Sequence, residues 1–599
     1  MKKSGFLLSF LISLMILAIP FGALGATLEN SGDGTGTWII KIKEDVSSLA
    51  AVRNEVNSVA DDTQGEMSRL VIGDTVFYTT DNYETALSMA DSDLVESVQE
   101  SGFSQLSYTP NDKYYQPASS HTTYQYAPRL LKAEPAWGVT QGSSDVRIVV
   151  IDSGFYYGHE DAANIKAGWD YVMNKQNTFD YSWHGTASAG IIGATTGNEI
   201  GIAGAAPNCE VIMLRCFGRP EYADGADKAN NDDIARAIRD AVDVYDADVI
   251  SMSFGTPVNV DAIETAVQYA YGKGAIMVAA CGNRGDKSYN RNAYEYPASY
   301  DEVIGVGSVD WEERVASSST QNGSTYVTAP GCAILTLDNY PKTKANYTSA
   351  TGTSFATPYV AALAGLALSV EPDLTPNDFK TILRYTAKDL GAAGYDYSYG
   401  YGLVNYEAVI NTLSQGKFVD VPDGQWFSSA IYSLKSKGII NGRTNLYFQP
   451  GESITRTEFA KILAVASHQD LQAYNGQSSF SDVAAKSWYL SYINWGNDVG
   501  IIEGYGDGRA KPDANISREE MCTMLKRFID LKGIDLGDAA AANFSDTASI
   551  SSWASESVFA LVKGGIIQGN DDNTFRPANN ASRAEVAVMI DRFLQKHPF

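Results

Sequence analysis

The chain has 599 residues, of which 44% are hydrophobic and 19% charged, and its formal net charge is −26. Domains average roughly 100–200 residues, so a chain of this length should form several folded units. The composition excludes collagen-like repeats, and the acidity argues against non-specific nucleic-acid binding, which needs a basic surface.

The N-terminus predicts a secretory signal peptide over residues 1–26. Lys2 and Lys3 precede an apolar run over residues 5–19, after which Pro20 and several small residues follow. A charged start, an apolar stretch and a small-residue site are typical of such signals. An uncleaved membrane anchor is the alternative, although the run is shorter than the roughly 20 residues that span a bilayer. No later segment has the apolar length of a span.

Residues 27–108 predict a small α+β unit. Thr37–Lys43 alternates like a β-strand, and Arg69–Thr79 and Leu94–Gln105 have the composition of two further strands. A segment rich in Tyr, Ser, Thr and Pro follows at residues 107–125, which indicates a linker or a processing region.

From residue 146 onward, short β-branched runs alternate with amphipathic helices. We predict strands at residues 146–151, 210–216, 248–252, 275–280 and 303–309, and helices at 232–245, 260–271 and 354–370. Repeated β-α-β order predicts an α/β fold, a mostly parallel sheet with helices on both faces. The carboxyl ends of such strands form one edge, where functional sites collect.

The five cysteines do not predict a metal centre. Their odd number leaves at least one unpaired, and no C-x-x-C motif or Cys/His cluster occurs. A zinc site is therefore not expected, and we expect no cofactor for catalysis.

Only one of the five histidines has the surroundings of a catalytic base. His121 lies in the linker, His468 in the C-terminal part and His597 at the terminus, and His159 has the setting of a structural residue. His184 opens the run HGTASAG, whose small residues let a helix pack tightly on a sheet. That arrangement leaves His184 at the N-terminus of the helix, and a histidine pKa near neutrality suits a general base.

Three further positions match the needs of peptide hydrolysis by a hydroxyl. Asp152 ends the first predicted strand, where a carboxylate can orient the histidine. Ser354 opens the apolar helix 354–370, whose positive end favours developing negative charge. Asn283 follows the strand 275–280, and its amide can donate to an oxyanion. Each also has an ordinary explanation, as a turn Asp, a helix N-cap or a turn Asn. The prediction therefore depends on their order Asp, His, Asn, Ser along an α/β chain.

Further motifs occur at Ala206-Pro207, at residues 251–255 (SMSFG) and at residues 399–405 (YGYGLVN). Together with the positions above, they resemble the motifs of the subtilisin-like serine proteases over residues 110–410. The resemblance implies a catalytic triad of Asp152, His184 and Ser354, with Asn283 as the oxyanion donor. It implies a secreted serine endopeptidase, acting on protein or peptide substrates, with a peptidase domain at residues 109–416 and a removable propeptide at residues 27–108. The residues that it assigns to substrate binding are Ser253, Phe254, Gly255, Gly282 and Glu295.

Two finer expectations follow from the same resemblance. Glu295 matches the base of the pocket for the residue before the scissile bond, where a carboxylate would favour Lys or Arg. Arg284 lies where it would neutralise that carboxylate. Asp161 and Asn198 match two ligands of a structural calcium site, since Ca²⁺ prefers oxygen ligands. The N-terminal ligand of that site has no clear match in the sequence.

An internal repeat begins at Phe418, Phe480 and Phe544. Each copy contains Phe-x-Asp, a tryptophan and Gly-Ile-Ile, and each ends in a helix capping box with the pattern [S/T]-R-x-E. The capping boxes explain why Ser or Thr and Glu occur at these positions. They do not explain the arginine, because a cation in the first helical turn interacts unfavourably with the helix dipole. The arginines therefore indicate either anion recognition or a solvated side chain.

The three copies resemble S-layer homology domains, at residues 417–478, 479–542 and 543–599. The resemblance implies mainly helical repeats, commonly arranged about a pseudo-threefold axis, that attach bacterial proteins to secondary cell-wall polysaccharide, often carrying pyruvate ketals. It implies that Arg456, Arg518 and Arg583 contact this polymer and that the protein is located at the cell wall or S-layer surface. Two alternatives stay open: a non-enzymatic surface-layer protein with a protease-like scaffold, and a freely secreted protease whose repeats mediate protein assembly.

Overall fold

The computed structural model describes the chain from residue 108 to residue 597, apart from residues 116–123, 219–227, 286–292, 340–345, 423 and 537–542. Before residue 108 it describes residues 38–42, 68–72, 75–80 and 94–100 and the single positions 56, 58, 89 and 92. The predicted signal peptide lies outside these residues. The chain divides into two compact units, residues 1–103 and 104–599.

The first unit contains a four-stranded antiparallel sheet in the order β2-β3-β1-β4. Its strands are β1 (Trp38–Ile42), β2 (Ser68–Ile72), β3 (Thr75–Thr80) and β4 (Val95–Glu100). Ile40, Ile42 and Tyr78 form part of its core. The single strand predicted at 69–79 is wrong, because this stretch forms two paired strands. The Gly-Asp dipeptide at residues 73–74 is a hairpin signal that separates them in the sequence.

The second unit contains a seven-stranded parallel sheet, in the order β11-β10-β9-β8-β5-β7-β6. Its strands are β5 (Arg147–Asp152), β6 (Ile165–Asp170), β7 (Glu210–Arg215), β8 (Val249–Met252), β9 (Ile276–Ala280), β10 (Val303–Val309) and β11 (Val327–Pro330). A separate antiparallel pair consists of β12 (Ile334–Leu337) and β13 (Tyr347–Ala350). The predicted mostly parallel sheet is confirmed, and five of its strands were predicted to within one residue at each end.

Helices cover both faces of this sheet, and two separate apolar clusters fill the space beneath them. The helices are α1 (Ala127–Leu130), α2 (Ala133–Val139), α3 (His184–Gly193), α4 (Asn231–Asp243), α5 (Asp261–Gly272), α6 (Thr353–Val370), α7 (Pro376–Thr386) and α8 (Tyr406–Ser414). Among the described residues, α6 alone has the length and composition to cross a membrane. Of its 18 residues, 83% are buried inside the protein, so it is a core helix of this fold.

Each C-terminal repeat contains a short helix followed by a longer one that begins at the capping box. The helices are α9 (Ser428–Ser436), α10 (Arg456–Ala466), α11 (Leu490–Asp498), α12 (Arg518–Leu531), α13 (Ser555–Lys563) and α14 (Arg583–Lys596). All three predicted capping boxes are present, with the Ser or Thr side chain and the Glu side chain both bonded to the backbone.

The three repeats close into a ring. Ile516 N donates to Ile454 O, Ala581 N donates to Ile516 O, and Ile454 N donates to Ala581 O, at 2.9–3.0 Å. All three side chains are buried, and one core continues through the repeats. Each repeat therefore bonds to both others, which is the pseudo-threefold arrangement that the resemblance led us to expect.

Candidate functional site

Asp152 and His184 meet at the carboxyl edge of the parallel sheet. Asp152 is the last residue of the interior strand β5, which lies between β8 and β7, and His184 is the first residue of α3. The imidazole Nδ1 lies 2.8 Å from Asp152 Oδ1 and 3.0 Å from Oδ2. The Asp152 side chain is 4% exposed and that of His184 is 25% exposed. A buried carboxylate thus holds one ring nitrogen, while part of the ring reaches solvent.

A second buried carboxylate, Asp180, holds the two segments that carry this pair. Its Oδ1 accepts hydrogen bonds from Ser153 Oγ (3.0 Å) and Ser182 N (2.8 Å). Its Oδ2 accepts from the backbone N–H and the hydroxyl of Thr186. Burial raises the pKa of Asp180. Sequence reasoning missed this residue, although an Asp just before a helix with a Thr in its first turn is a recognisable capping signal.

Ser354 lies in the first turn of α6 and is tied to strand β8 through Ser253. Ser354 Oγ donates to Ser253 O at 3.0 Å, and Ser253 Oγ donates to Ser354 O at 2.7 Å. The ring of Phe355, the next residue, lies 5.3 Å from the His184 ring. The N-terminal end of the buried helix α6 therefore brings a hydroxyl to the edge that carries His184 and Asp152.

Asn283 is exposed after strand β9, and its amide orientation is fixed. Its Oδ1 accepts the backbone N–H of Thr353 at 2.9 Å and the Thr353 hydroxyl at 3.3 Å. With the oxygen held in this way, the amide presents its NH₂ group beside the start of α6. Gly352 has φ +153, and a Cβ there would lie 3.3 Å from Asn283 Nδ2. The glycine leaves the approach to the amide open.

Two cavities flank this edge. A cavity of about 370 Å³ opens beside Ser354, and its lining is Phe254, Gly255, Ala280, Gly282, Asn283, Arg284, Glu295, Thr353 and Ser354. A smaller one of about 160 Å³ is lined by Asp152, Ser153, His184, Phe217, Ser253 and Phe254. All five residues predicted to bind substrate therefore line one or both cavities. Sequence reasoning missed Phe217, whose ring packs 5.1 Å from that of Phe254.

Glu295 forms the acidic wall of the larger cavity and is 8% exposed. A Cβ at Gly255 would lie 2.4 Å from Glu295 Oε2, and one at Gly282 would lie 2.7 Å from its Cδ. Glycine is thus required at both positions for the carboxylate to fit. Arg284 Nε forms an ion pair with Glu295 Oε1. The neutralisation that the sequence suggested is present in the structure.

The predicted calcium ligands Asp161 and Asn198 lie together, and a second acidic residue, Asp112, bonds to the same loop. Asn198 Nδ2 donates to Asp161 Oδ1 at 2.7 Å, and Ile202 N donates to Asp161 Oδ2 at 2.9 Å. Asp112, fully buried, accepts from Gly197 N in the same loop at 2.8 Å. Burial raises the pKa of Asp112, and raises that of Asp161 to about 7 with the Asp112 charge contributing.

These oxygens suit a hard cation such as Ca²⁺. The pKa values of the two carboxylates are raised, and a bound cation would stabilise their charged forms. Within the described part of the chain, no set of three or more His, Cys, Asp or Glu residues is placed to hold a metal ion. A bound cation would therefore rely on Asp112, Asp161, the Asn198 amide and loop carbonyls.

His159 has the structural setting that the sequence indicated, and the cysteines form no disulfides. His159 is 7% exposed; its Nδ1 accepts from Asp161 N and its Nε2 lies 2.6 Å from Asn346 O. Burial lowers its pKa, which disfavours the charged ring. All five cysteines are free thiols.

The capping-box arginines are buried between the repeats. Arg456, Arg518 and Arg583 are 7%, 7% and 8% exposed. Their Nε groups donate to carbonyl oxygens of a neighbouring repeat, at Ala510, Phe575 and Phe448 respectively. The alternative of a solvated side chain is therefore wrong, because the guanidinium groups satisfy carbonyls that ring closure brings over the helix start. Polymer contact by these arginines stays a prediction.

Known proteins share both parts of this architecture. The family model described as "Subtilase family" matches residues 143–402, and the S-layer homology domain model matches residues 417–460, 479–522 and 543–587. The chain is 35% identical over 382 residues to a thermophilic serine proteinase of Bacillus sp. (strain AK1), covering 62% of this chain and 87% of that protein.

Two further relatives support the match. Thermitase of Thermoactinomyces vulgaris is 35% identical over 294 residues, with 49% of this chain and 96% of thermitase covered. A halolysin-like extracellular serine protease, Nep, of Natrialba magadii is 32% identical over 416 residues, with 65% and 72% covered. A buried Asp–His pair at a sheet edge beside a helix-borne serine is the arrangement of a serine hydrolase. The chain belongs to the subtilase family of serine proteases and carries three S-layer homology domains, which indicate association with a cell surface.

Proposed function

We propose that this protein is a secreted serine endopeptidase that acts through Asp152, His184 and Ser354 and is held at the bacterial cell wall by its three repeats. The observation that carries the catalytic part is the 2.8 Å contact between Asp152 and His184, with the Ser354 hydroxyl delivered to the same sheet edge by α6. A buried carboxylate at Nδ1 fixes the tautomer in which Nε2 is the free base.

In the proposed reaction, Ser354 Oγ attacks the carbonyl carbon of the scissile peptide bond while His184 Nε2 takes the hydroxyl proton. Asp152 stabilises the imidazolium that forms. The tetrahedral oxyanion accepts hydrogen bonds from Asn283 Nδ2 and the Ser354 backbone N–H, near the positive end of α6. His184 then protonates the leaving amine, and an ester on Ser354 remains. A water molecule, deprotonated by His184, hydrolyses this acyl-enzyme.

Substrate binding is proposed to use both cavities. An extended peptide adds a strand along Ser253–Gly255, which joins the cavity beside Ser354 to the one over His184. The side chain before the scissile bond enters the cavity with Glu295. Because Arg284 pairs with this carboxylate, the preference for Lys or Arg is weaker than an unpaired Glu would give.

The remaining assignments concern maturation and location. Residues 1–26 are proposed as a cleaved signal and residues 27–108 as a propeptide that assists folding and is removed. A structural Ca²⁺ held by Asp112, Asp161 and Asn198 would join the segment at residue 112 to the loop at 197–202. Wall anchoring is supported by the three S-layer homology domains, and extracellular relatives support secretion.

Hydrolysis of a denatured protein such as casein tests the catalytic proposal. The purified chain should cleave casein, and Ser354→Ala should reduce the rate by at least about 10³-fold while leaving the melting temperature unchanged. Retention of activity in Ser354→Ala would reject the assignment and favour a different nucleophile. Absence of activity in the wild-type chain after propeptide removal would favour the non-enzymatic scaffold.

A further inference from the structure

The first repeat joins the peptidase domain without an intervening linker. Helix α8 ends at Ser414, and Lys417 N donates to Thr412 O in its last turn at 3.0 Å. Phe418 then belongs to the core of the repeats, whereas Val419 belongs to an apolar cluster of the peptidase domain. Two adjacent side chains therefore enter two different cores.

A loop of the first repeat contacts the peptidase domain beside Val419. Val419 N donates to Leu446 O at 2.8 Å, and the side chains of Leu446 and Tyr447 pack against the same apolar cluster of the peptidase domain. The Tyr447 hydroxyl donates to Asp378 Oδ1 at 2.6 Å, while Asp378 Oδ2 accepts the backbone N–H of Thr375 at the start of α7. Burial, together with the bond to Asp378, raises the pKa of Tyr447, so its hydroxyl stays protonated as a donor. Val419, Leu446 and Tyr447 are referred to below as the docking residues.

The other two repeats have polar residues or glycine in place of the docking residues. The backbone bond of Val419 is repeated there, from Ser481 N and from Ser545 N to the corresponding loops. Val419 is 2% exposed, whereas both serines are exposed. No docking residue belongs to the core of the repeats, so the fold of the repeat does not require these three side chains. The counterparts of Val419, Leu446 and Tyr447 are Ser481, Gly508 and Arg509 in the second repeat and Ser545, Asn573 and Thr574 in the third.

The bond from Tyr447 reaches the peptidase domain near the end of α6 that is remote from Ser354. Ser354 is the second residue of α6, which has 18 residues and is therefore about 27 Å long. The helix ends at Val370, and α7, which carries Asp378 in its first turn, begins shortly afterwards at Pro376. The contact with the first repeat therefore lies near the opposite end of the core helix from the catalytic serine.

We propose that the docking residues hold the ring of repeats rigidly against the peptidase domain in one orientation, with the catalytic edge of the sheet turned away from the ring. Domains of one chain move relative to each other unless an apolar interface restricts the motion. The docking residues supply such an interface, and the bond from Tyr447 to Asp378 fixes its register. The consequence at a cell surface rests on the proposed wall anchoring. The anchored enzyme presents its active site away from the wall, to proteins that arrive from outside, and does not swing on a flexible tether.

Spin-label distances in the full-length chain test the docking in solution, with no need for wall binding. The parent carries Ser354→Ala, which prevents self-digestion, and Cys332→Ser, because the other four cysteines are buried. Labels on Asp373→Cys and Ser429→Cys, at exposed positions, report on the interface, and labels on Ser429→Cys and Glu556→Cys report on the ring of repeats. Pulsed electron spin resonance of the parent should give one narrow distance distribution for each pair.

The variants exchange the docking residues for those of the second repeat. Val419→Ser, Leu446→Gly and Tyr447→Arg together should broaden the distance distribution of the interface pair by about twofold or more. The ring pair should keep its distance, because no docking residue lies in the core of the repeats. Tyr447→Arg alone should also broaden the interface distribution, and it keeps the test decisive if the triple variant perturbs the ring. The matched control, Asn573→Gly with Thr574→Arg, installs residues of the second repeat in the third and should change neither pair.

A broad distribution for the interface pair in the parent would overturn the rigid docking. A distribution that stays narrow in both Tyr447→Arg and the triple variant, or that broadens equally in the control, would overturn the role of the docking residues. A label on Val258→Cys, 62% exposed in the native chain and just after Ser253–Gly255, should lie farther from Ser429 than the label at Asp373 does. An equal or shorter distance would contradict the orientation. Because these distances are measured without the wall, failure of the docking is distinguishable from failure of the anchoring.

Discussion

Asn283 accepts the backbone N–H of Thr353 through its amide oxygen at 2.9 Å, so the residue before Ser354 sets the direction of the amide. An aspartate at position 283 would keep this acceptor and lose the NH₂ donor. Asn283→Asp should therefore lower kcat by about 10²–10³-fold with little change in KM, because the donor acts on the oxyanion that exists only in the transition state. Steady-state kinetics on a peptide substrate measures this, and an unchanged kcat would remove Asn283 from the oxyanion site.

The ion pair of Arg284 with Glu295 predicts a change in cleavage specificity. Arg284→Gln frees the carboxylate in the cavity beside Ser354, so kcat/KM for substrates with Lys or Arg before the scissile bond should rise by about tenfold relative to Leu. Cleavage profiling with a peptide library measures the ratio. The matched variant Glu295→Gln should lower it, and equal profiles for both variants would exclude Glu295 from the specificity pocket.

The buried arginines should contribute to the stability of the ring of repeats. Arg518→Ala removes a hydrogen bond to Phe575 O and the partner of Glu585, and should destabilise the repeats by about 2 kcal/mol. Differential scanning calorimetry should show a lower repeat transition, with peptidase activity unchanged. The control is Arg509→Ala, whose exposed side chain pairs with Asp507 and whose loss should leave the repeat transition nearly unchanged. Equal effects of the two substitutions would mean that Arg518 is not structural.

Chelation tests the calcium proposal. Two buried carboxylates, Asp112 and Asp161, have raised pKa values, and removing a cation from between them should lower the melting temperature by about 5 °C or more. Asp112→Asn should melt lower than wild type in Ca²⁺ and should respond less to chelator. A wild-type melting temperature that is the same in chelator and in Ca²⁺ would contradict a structural calcium ion.

The strand ends and helix starts of the peptidase domain were predictable because hydrophobic period and glycine positions are local properties. Strand β10 was predicted at its observed limits, and the local sequence pattern was sufficient to place His184, Asp152 and Ser354 at the ends of their elements. The error at Arg69–Thr79 arose because two apolar runs, separated by the Gly-Asp turn signal at residues 73–74, were taken as one strand.

Long-range proximity set the limit of sequence reasoning. Asp112 was missed because its place beside the loop at residues 197–202 depends on the tertiary fold, and no local spacing relates it to Asp161. The role of Arg456 was also beyond a local argument. Its partner, the carbonyl of Ala510, is brought to the helix start only when the repeats close into a ring.

Labelling with a serine-directed fluorophosphonate tests the central claim most directly. The reagent bonds covalently to a serine hydroxyl only when a base and an oxyanion site activate it. The account predicts that the mature wild-type protein takes up one label, that mass spectrometry places the label on Ser354, and that Ser354→Ala takes up none. A label on another residue, or a wild-type protein that remains unlabelled after maturation, would contradict it.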